Sequence, residues 1–392
     1  MSNALAGDAA SEVEFMEGEH AMAREAALRA KDGPENRRAI PVFDVDIHES
    51  FAALDDLVPY LDEPWKGLVG RGEWKGFTQP FVYWTSGGSY WTPERADGEA
   101  PSNMQTSASD YGVMKDLLLD AFNIERGILT GYFYPVMLGE MQVEFASALA
   151  AAYNDYQVES WLSKDDRLLG SIHVAPQDPQ AAVREIDRLG SHPQIVQVML
   201  ALGGLRRAYG DPFFFPIFEA AQRNNLAIAT HHNTYAEGAL GMGRYYVERH
   251  VLIPQVTMAT LISLVFNGVF DRFPDLRFIL LEGGFTWLPH LLWRMDREYK
   301  SLRQEVPWVK KLPSEHVVGD GRVKLATQPT EDLTAEEWTK IVELIGSDEV
   351  LVFATDYPHF DFDSPTRALP NALPEDLKRK ILQDNARAFY GF

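Results

Sequence analysis

The 392-residue chain contains no cysteine. That excludes disulfides, thiolate zinc sites and a cysteine nucleophile, so any metal must be held by histidine and carboxylate. Basic residues are scarce as well. Lys and Arg number 36 against 57 Asp and Glu, a net charge of −21. Such a chain repels phosphate backbones, which argues against a nucleic-acid partner. Long hydrophobic runs are also missing. None approaches the ~18 residues of a membrane span, so no membrane partner is expected. The opening segment MSNALAGDAASEVEFMEGEH is acidic and lacks the basic and apolar regions of a leader, so a cytoplasmic home is expected.

What is present is enough for a large core. Hydrophobic residues make up 46% and aromatic residues 12%. This length accommodates one large α/β barrel or two ordinary domains. Residues 1–40 show no sustained strand pattern and read as an arm. From Val42 onward, short apolar runs alternate with amphipathic stretches. The pattern predicts strands over 42–47, 125–130, 167–174, 195–200, 226–231, 276–282, 321–326 and 350–355. It predicts helices over 138–163, 179–190, 212–224, 250–268, 288–303, 334–346 and 373–389. Asp178-Pro179 and Asp211-Pro212 read as N-caps followed by proline at the first helical position.

Eight strands alternating with helices predict an α/β fold, a (β/α)8 barrel spanning 41–392. A doubly wound sheet is the rival, but no GxGxxG or P-loop pattern follows an early strand. Residues 49–110 interrupt the alternation and are rich in Gly, Ser, Pro and Trp. They leave the carboxyl end of the first strand, which is the active face of a barrel, and read as a lid or insertion.

Charged groups gather at strand ends. In PVFDVDIHES, Asp44, Asp46 and His48 occupy alternate positions, which places them on one face of a strand. Two carboxylates and an imidazole there are costly to bury unless a cation compensates them. Asp44 lies about 13 Å of contour below His48, so it serves a second ion or a buried supporting role. The fifth strand ends in His231 and His232, which point to opposite faces. Counting from the apolar run favours His231, while an early turn would present His232. Glu282 closes FILLE, Asp356 follows VLVFAT, and His359 and Asp361 come just beyond. His290, on the first turn of a helix, is a candidate for a second metal site. His173 and His250 are candidates to line the substrate pocket.

Taken together, DVDIHE, HVAPQDP, FPDLRFILLEGGFTWLPHLLWRMD, ATQP, ATDYPHFDFDSP and NARAFYGF resemble the amidohydrolase-related (amidohydrolase 2) family of the amidohydrolase superfamily. The resemblance runs from about residue 42 to the C-terminus. It implies a distorted (β/α)8 TIM barrel. It also implies a metal held by an acid-x-His pair on the first strand, a His on the fifth and an Asp on the eighth. Those positions are Asp46, His48, His231 and Asp356. Decarboxylases of the family carry a His near the end of strand six, in a context like HxGE. Here Glu282-Gly283-Gly284 stands in that place, which removes an acid/base group and adds a hard oxygen ligand. Relatives with this look, of the isobutylamine N-hydroxylase-like kind, use two metal ions, iron with iron or manganese, to activate dioxygen.

Three readings follow. The preferred one is a dinuclear Fe/Mn monooxygenase that N-hydroxylates a small substrate such as an amine, with dioxygen and a reductase as partners. Asp46, His48, His231 or His232, Glu282 and Asp356 would hold the ions, Asp44 or His290 would complete the second site, and Asp356, Glu282 and His359 would be catalytic. The second reading is a hydrolase or decarboxylase of a small amide or carboxylic acid at one Zn or Mn. In the third, the chain is a degenerate partner subunit in a homo- or hetero-oligomer with a related barrel.

Overall fold

The computed structural model describes residues 40–76, 104–131, 141–203, 205, 207–232, 245–359 and 361–392. Residues 1–39 of the expected arm and 77–103 of the expected lid lie outside the described residues. Eight strands form one sheet: β1 Val42–Ile47, β2 Ile124–Leu129, β3 Leu168–His173, β4 Ile195–Leu202, β5 Ala227–His232, β6 Phe278–Leu280, β7 Val323–Ala326 and β8 Leu351–Val352. Neighbours follow chain order and every pairing is parallel. A parallel bridge between Ile47 and Tyr357 brings the last strand's extension back to the first. The sheet is therefore a nearly closed barrel, and the doubly wound alternative is excluded.

Helices α1 Val143–Ser160, α2 Pro179–Leu189, α3 Phe215–Arg223, α4 Tyr246–Phe266, α5 Leu288–Leu302 and α6 Ala335–Ile345 surround it. Their starts follow local chemistry. The Asp178 carboxylate accepts from the backbone N–H of Gln180 and Ala181, with Pro179 in the first turn. Thr334 and Glu337 cap α6 reciprocally, and Gly346 ends it in the left-handed region. One apolar cluster draws residues from all eight strands and fills the barrel, including Val45, Ile128, Leu169, Met199, Ala229, Ile279, Ala326 and Val352. The floor is closed by the C-terminal helix. Tyr390 stacks on Phe43 at 5.7 Å and donates to Gln197 at 2.6 Å. A second cluster, with Ile172, Leu200, Phe218 and Phe278, lies between barrel and helices. Each such buried side chain contributes about 1.5–3 kcal/mol relative to exposure.

Two strands end earlier than the pattern predicts. β6 stops at Leu280 and β8 at Val352. Just beyond them, Glu282 (φ +45°) and Asp356 (φ +59°) are in the left-handed region, where regular strand geometry has ended. Both are non-glycine residues at the barrel mouth, where such strain is commonly retained for function. β1 also departs from simple alternation. Its register against β2 shifts between Val42 and Phe43 and again between Asp44 and Ile47. Such irregularities re-aim side chains, and the Asp44 carboxylate accepts from the backbone N–H of Asp46 at 3.2 Å and belongs to none of the donor groups at the mouth.

Helix α4 is the one described helix long and apolar enough by composition to cross a membrane. Its buried Arg249, Ile253 and Thr257 mark a face turned to the protein, while Val247 and Val251 are exposed.

Candidate metal centre

Interior alternation delivers donors to the mouth. Along β5, Ala227 and Ala229 fill the barrel, so His231 continues the inward face. Past β8, Val352 and Ala354 do the same for Asp356. Donor atoms of Asp46, His48, His231 and Asp356, all buried, lie within 4.8 Å of one another. His231, His232 and Glu282 form a second such group, and His250, Glu282 and Asp361 a third.

Hydrogen bonds decide which ring nitrogen each histidine offers. His48 Nδ1 donates to the Gly131 carbonyl at 2.6 Å, directing Nε2 at Asp356 Oδ1 (2.8 Å) and Asp46 Oδ1 (3.5 Å). Burial works against charge on His48, but Asp46 and Asp356 outweigh it and push its pKa up to about 10. The pocket therefore demands positive charge at Nε2, which either a proton or a metal ion supplies. His231 Nδ1 donates to the His232 carbonyl at 2.6 Å. Its Nε2 is thereby aimed at Glu282 Oε2 (2.8 Å) and Asp46 Oδ2 (3.7 Å); burial works against charge there, but the two carboxylates outweigh it and raise the pKa, so this nitrogen, like that of His48, calls for a proton or a metal ion.

His232 is different. Its Nδ1 lies 3.0 Å from the Arg249 guanidinium, which can only donate. The remaining proton of a neutral ring then sits on Nε2, 2.7 Å from Glu282 Oε2. Burial lowers the His232 pKa to about 4, consistent with a neutral ring. So His231 presents a nitrogen that a proton or a metal ion satisfies, and His232 presents an N–H that orients Glu282. Burial raises the Glu282 carboxyl, but His232 and His231 outweigh it and hold it well below the usual range.

Supporting groups fix the carboxylates. Thr130 Oγ1 donates to Asp46 Oδ1 at 2.5 Å. Asp356 accepts from His359 Nδ1 at 2.8 Å and from Gln328 Nε2 at 3.1 Å. The same Gln328 nitrogen donates to Asp361 Oδ2 at 2.9 Å. Burial, and then the charge of Glu282, holds Asp356 well above the ordinary carboxylate range. Burial, with His48 adding to it, lowers the His359 pKa to about 3. Asp46 Oδ2 is buried without a hydrogen-bond partner, and Glu282 Oε2 faces the nitrogens of both His231 and His232. Donors converging in a buried place fit a cation, and the oxygen and imidazole donors suit Mn, Fe or Zn.

Other expected site residues fall elsewhere. Asp44 accepts from Thr355 N at 3.0 Å and Thr355 Oγ1 at 2.5 Å, which ties β1 to the β8 extension. His290 is exposed on α5 and belongs to none of the three donor groups. His173 continues the inward face of β3 and is fully buried, with no hydrogen bond to either ring nitrogen. His250 enters from α4, its Nε2 3.2 Å from Asp361 Oδ2 and 3.8 Å from Glu282 Oε1. Sequence reasoning gave no role to Thr130, Gln328 or Arg249. Gln328 stood in the ATQP run, a detectable signal. Arg249 had only its place beside His250, and the Gly131 carbonyl left no signal at all.

The family model described as Amidohydrolase matches residues 94–392. The gamma-resorcylate decarboxylase of Rhodococcus jostii is 27% identical over 329 residues, covering 77% of this chain and 91% of that protein. The solved 5-carboxyvanillate decarboxylase of Sphingomonas paucimobilis superimposes with a TM-score of 0.63 at 21% identity, over 90% of this chain and all of that one. The 5-carboxyvanillate decarboxylase of Novosphingobium aromaticivorans, solved with manganese and 4-hydroxy-3-methoxy-5-nitrobenzoic acid, gives 0.63 at 20% identity, covering 90% of this chain and 99% of that one.

Proposed function

The chain belongs to the amidohydrolase family, and from that premise we propose that it is a divalent-metal-dependent decarboxylase of a small carboxylic acid, with manganese as the favoured ion. The observation that carries this reading is the convergence of Asp46, His48, His231 and Asp356 at the barrel mouth. The solved relative that holds manganese and a nitrobenzoate lends it chemical support.

When bound, the cation would supply Lewis acidity toward a substrate carboxylate or a neighbouring hydroxyl. The chain's own groups do the rest. Thr130, the Gly131 carbonyl and the His232 carbonyl preset Asp46, His48 and His231, so little reorganisation is needed on binding. Decarboxylation breaks a carbon–carbon bond and leaves its electron pair on the substrate carbon as carbon dioxide departs. A proton must reach that carbon. In this reading Asp356 delivers it and His359, whose Nδ1 is 2.8 Å from Asp356 Oδ1, replenishes it. The test is carbon dioxide release from 2,6-dihydroxybenzoate and 5-carboxyvanillate by manganese-loaded chain under argon. Turnover that falls about 10²–10⁴-fold in Asp356→Asn is expected. Bound manganese with no release from either acid contradicts the reading.

A second reading is oxygen activation at a dinuclear Fe/Mn centre, acting on a small amine with electrons from a reductase and with a related barrel as oligomeric partner. Glu282 favours it, because a buried carboxylate stands between two groups of donors. The relatives named above are decarboxylases, so this reading rests on the site alone. Substrate-dependent oxygen uptake by reduced, iron- and manganese-loaded chain would select it over the first.

A further inference from the structure

Glu49, next to His48 in the chain, is a fully buried carboxylate that belongs to none of the three donor groups at the mouth. The Gly131 N–H donates to its Oε2 at 2.9 Å, and the Gln157 amide nitrogen donates to its Oε1 at 2.5 Å. The Tyr153 hydroxyl lies 3.1 Å from Oε1 and 2.8 Å from the Glu49 carbonyl. All three donors are neutral, and burying a carboxylate among neutral groups is costly. We propose that Glu49 is a positioning residue for the metal centre: by holding the Gly131 N–H, it fixes the glycine carbonyl that keeps a proton on His48 Nδ1 and turns His48 Nε2 to the ion. This rests on the metal-dependent reading above and adds a residue to it.

Gly131 is gripped from two sides. Its N–H goes to Glu49, and its carbonyl accepts from His48 Nδ1 at 2.6 Å. It stands just past β2 in the left-handed region (φ +77°). A glycine moves easily between backbone regions, so its neighbours must set the direction of its carbonyl. Glu49 and His48 are consecutive, and together they hold both polar groups of this one residue.

The support behind Glu49 explains why the group is a carboxylate. Tyr153, Asn154 and Gln157 lie on the buried face of α1, where a barrel helix ordinarily places apolar side chains. Gln157 Oε1 accepts from the Ser171 N–H at 3.1 Å, which leaves its amide nitrogen to face Glu49. One Glu49 oxygen therefore meets the Gln157 amide donor, and the other meets the Gly131 N–H. Two acceptors are required, and a glutamine offers only one. Asn154 bonds the N–H and carbonyl of His173 at 2.8 and 2.9 Å, so it ties the same helix to β3 without touching Glu49.

The experiment compares variants of the full-length chain with 15N-labelled histidine. Two quantities are read: the Mn(II) dissociation constant by isothermal titration, and the His48 Nδ1–H signal of the metal-free chain in a 1H–15N spectrum, identified by its loss in His48→Gln. In Glu49→Gln, Mn(II) affinity is expected to fall about 10–100-fold. The Nδ1–H signal is expected to shift upfield and exchange faster with water, with an unchanged circular dichroism profile. Asn154→Ser, which loosens the same helix elsewhere, is expected to keep both quantities. A folded Glu49→Gln with wild-type affinity and an unchanged signal overturns the proposal and leaves the metal-dependent reading intact. A fall in affinity with the His48 signal unchanged overturns the route through Gly131. Equal losses in Asn154→Ser overturn it too, since the wall as a whole is then what matters. If Glu49→Gln does not fold, Tyr153→Phe is expected to move both quantities the same way by a smaller amount, and no movement overturns the proposal. A wild-type chain that binds no Mn(II) overturns the metal-dependent reading and the role of Glu49 with it.

Discussion

At the residue scale, the two adjacent histidines of β5 show how much a single hydrogen bond decides. His231 and His232 differ in role because one ring donates to a carbonyl and the other accepts from Arg249. The expected consequence is asymmetric. His231→Ala should abolish retention of the tightly bound manganese. His232→Gln, whose amide can still accept from Arg249 and donate to Glu282, should weaken binding only about 10–100-fold. Isothermal titration with Mn(II) checks this, and equal losses would contradict the tautomer assignment. His173 supplies a test in pH. Burial, with the charge of His48 adding to it, pushes its pKa from 6.5 down to about 3. The unfolded chain therefore binds a proton that the folded chain refuses. Stability from this group is complete above pH 6.5 and is lost as pH falls toward about 3. The urea midpoint of the wild type should fall more steeply through that window than that of His173→Met, and parallel slopes would refute the assignment. Asp46, His48 and Asp356 were legible in the sequence because each ends an apolar run with a group that burial alone would not permit. Counting along β5 favoured His231, but the supporting part of His232 was not legible, because it depends on an arginine from a helix seventeen residues away.

At the element scale, strand positions were readable and strand ends were not. Apolar alternation located β1 and β3 almost to the residue, because both faces of each are buried. It overran β6 and β8, where Glu282 and Asp356 leave strand geometry to reach the mouth. It also placed Asp44 on the metal-facing side, since a register shift inside β1 is invisible to a two-residue period. Asp44 instead binds β1 to the chain after β8, and burial pushes its carboxyl up to about 7. Thr355→Val removes one of its donors within the barrel wall. A loss of about 1–3 kcal/mol in unfolding free energy is expected, with manganese content unchanged. Denaturant unfolding alongside metal analysis checks both halves. A variant that keeps its stability but loses its metal would return Asp44 to the ligand set.

At the scale of the whole molecule, the barrel explains why residues more than three hundred positions apart meet. Parallel strands in chain order place every carboxyl end at one mouth, so Asp46 from the start of the chain and Asp356 from near its end become neighbours. That convergence was inferable from the eightfold alternation. His250 was singled out as a pocket candidate, but the part Arg249 plays beside it was not inferable, because helical periodicity does not say that Arg249 turns toward His232. Anomalous diffraction at the manganese edge, from crystals of Mn-loaded full-length chain, tests the central claim most directly. A strong peak among Asp46, His48, His231 and Asp356, about 2.0–2.3 Å from their donor atoms, is the expected result. A map with no peak among those four residues, from crystals whose mother liquor holds saturating manganese, would contradict it.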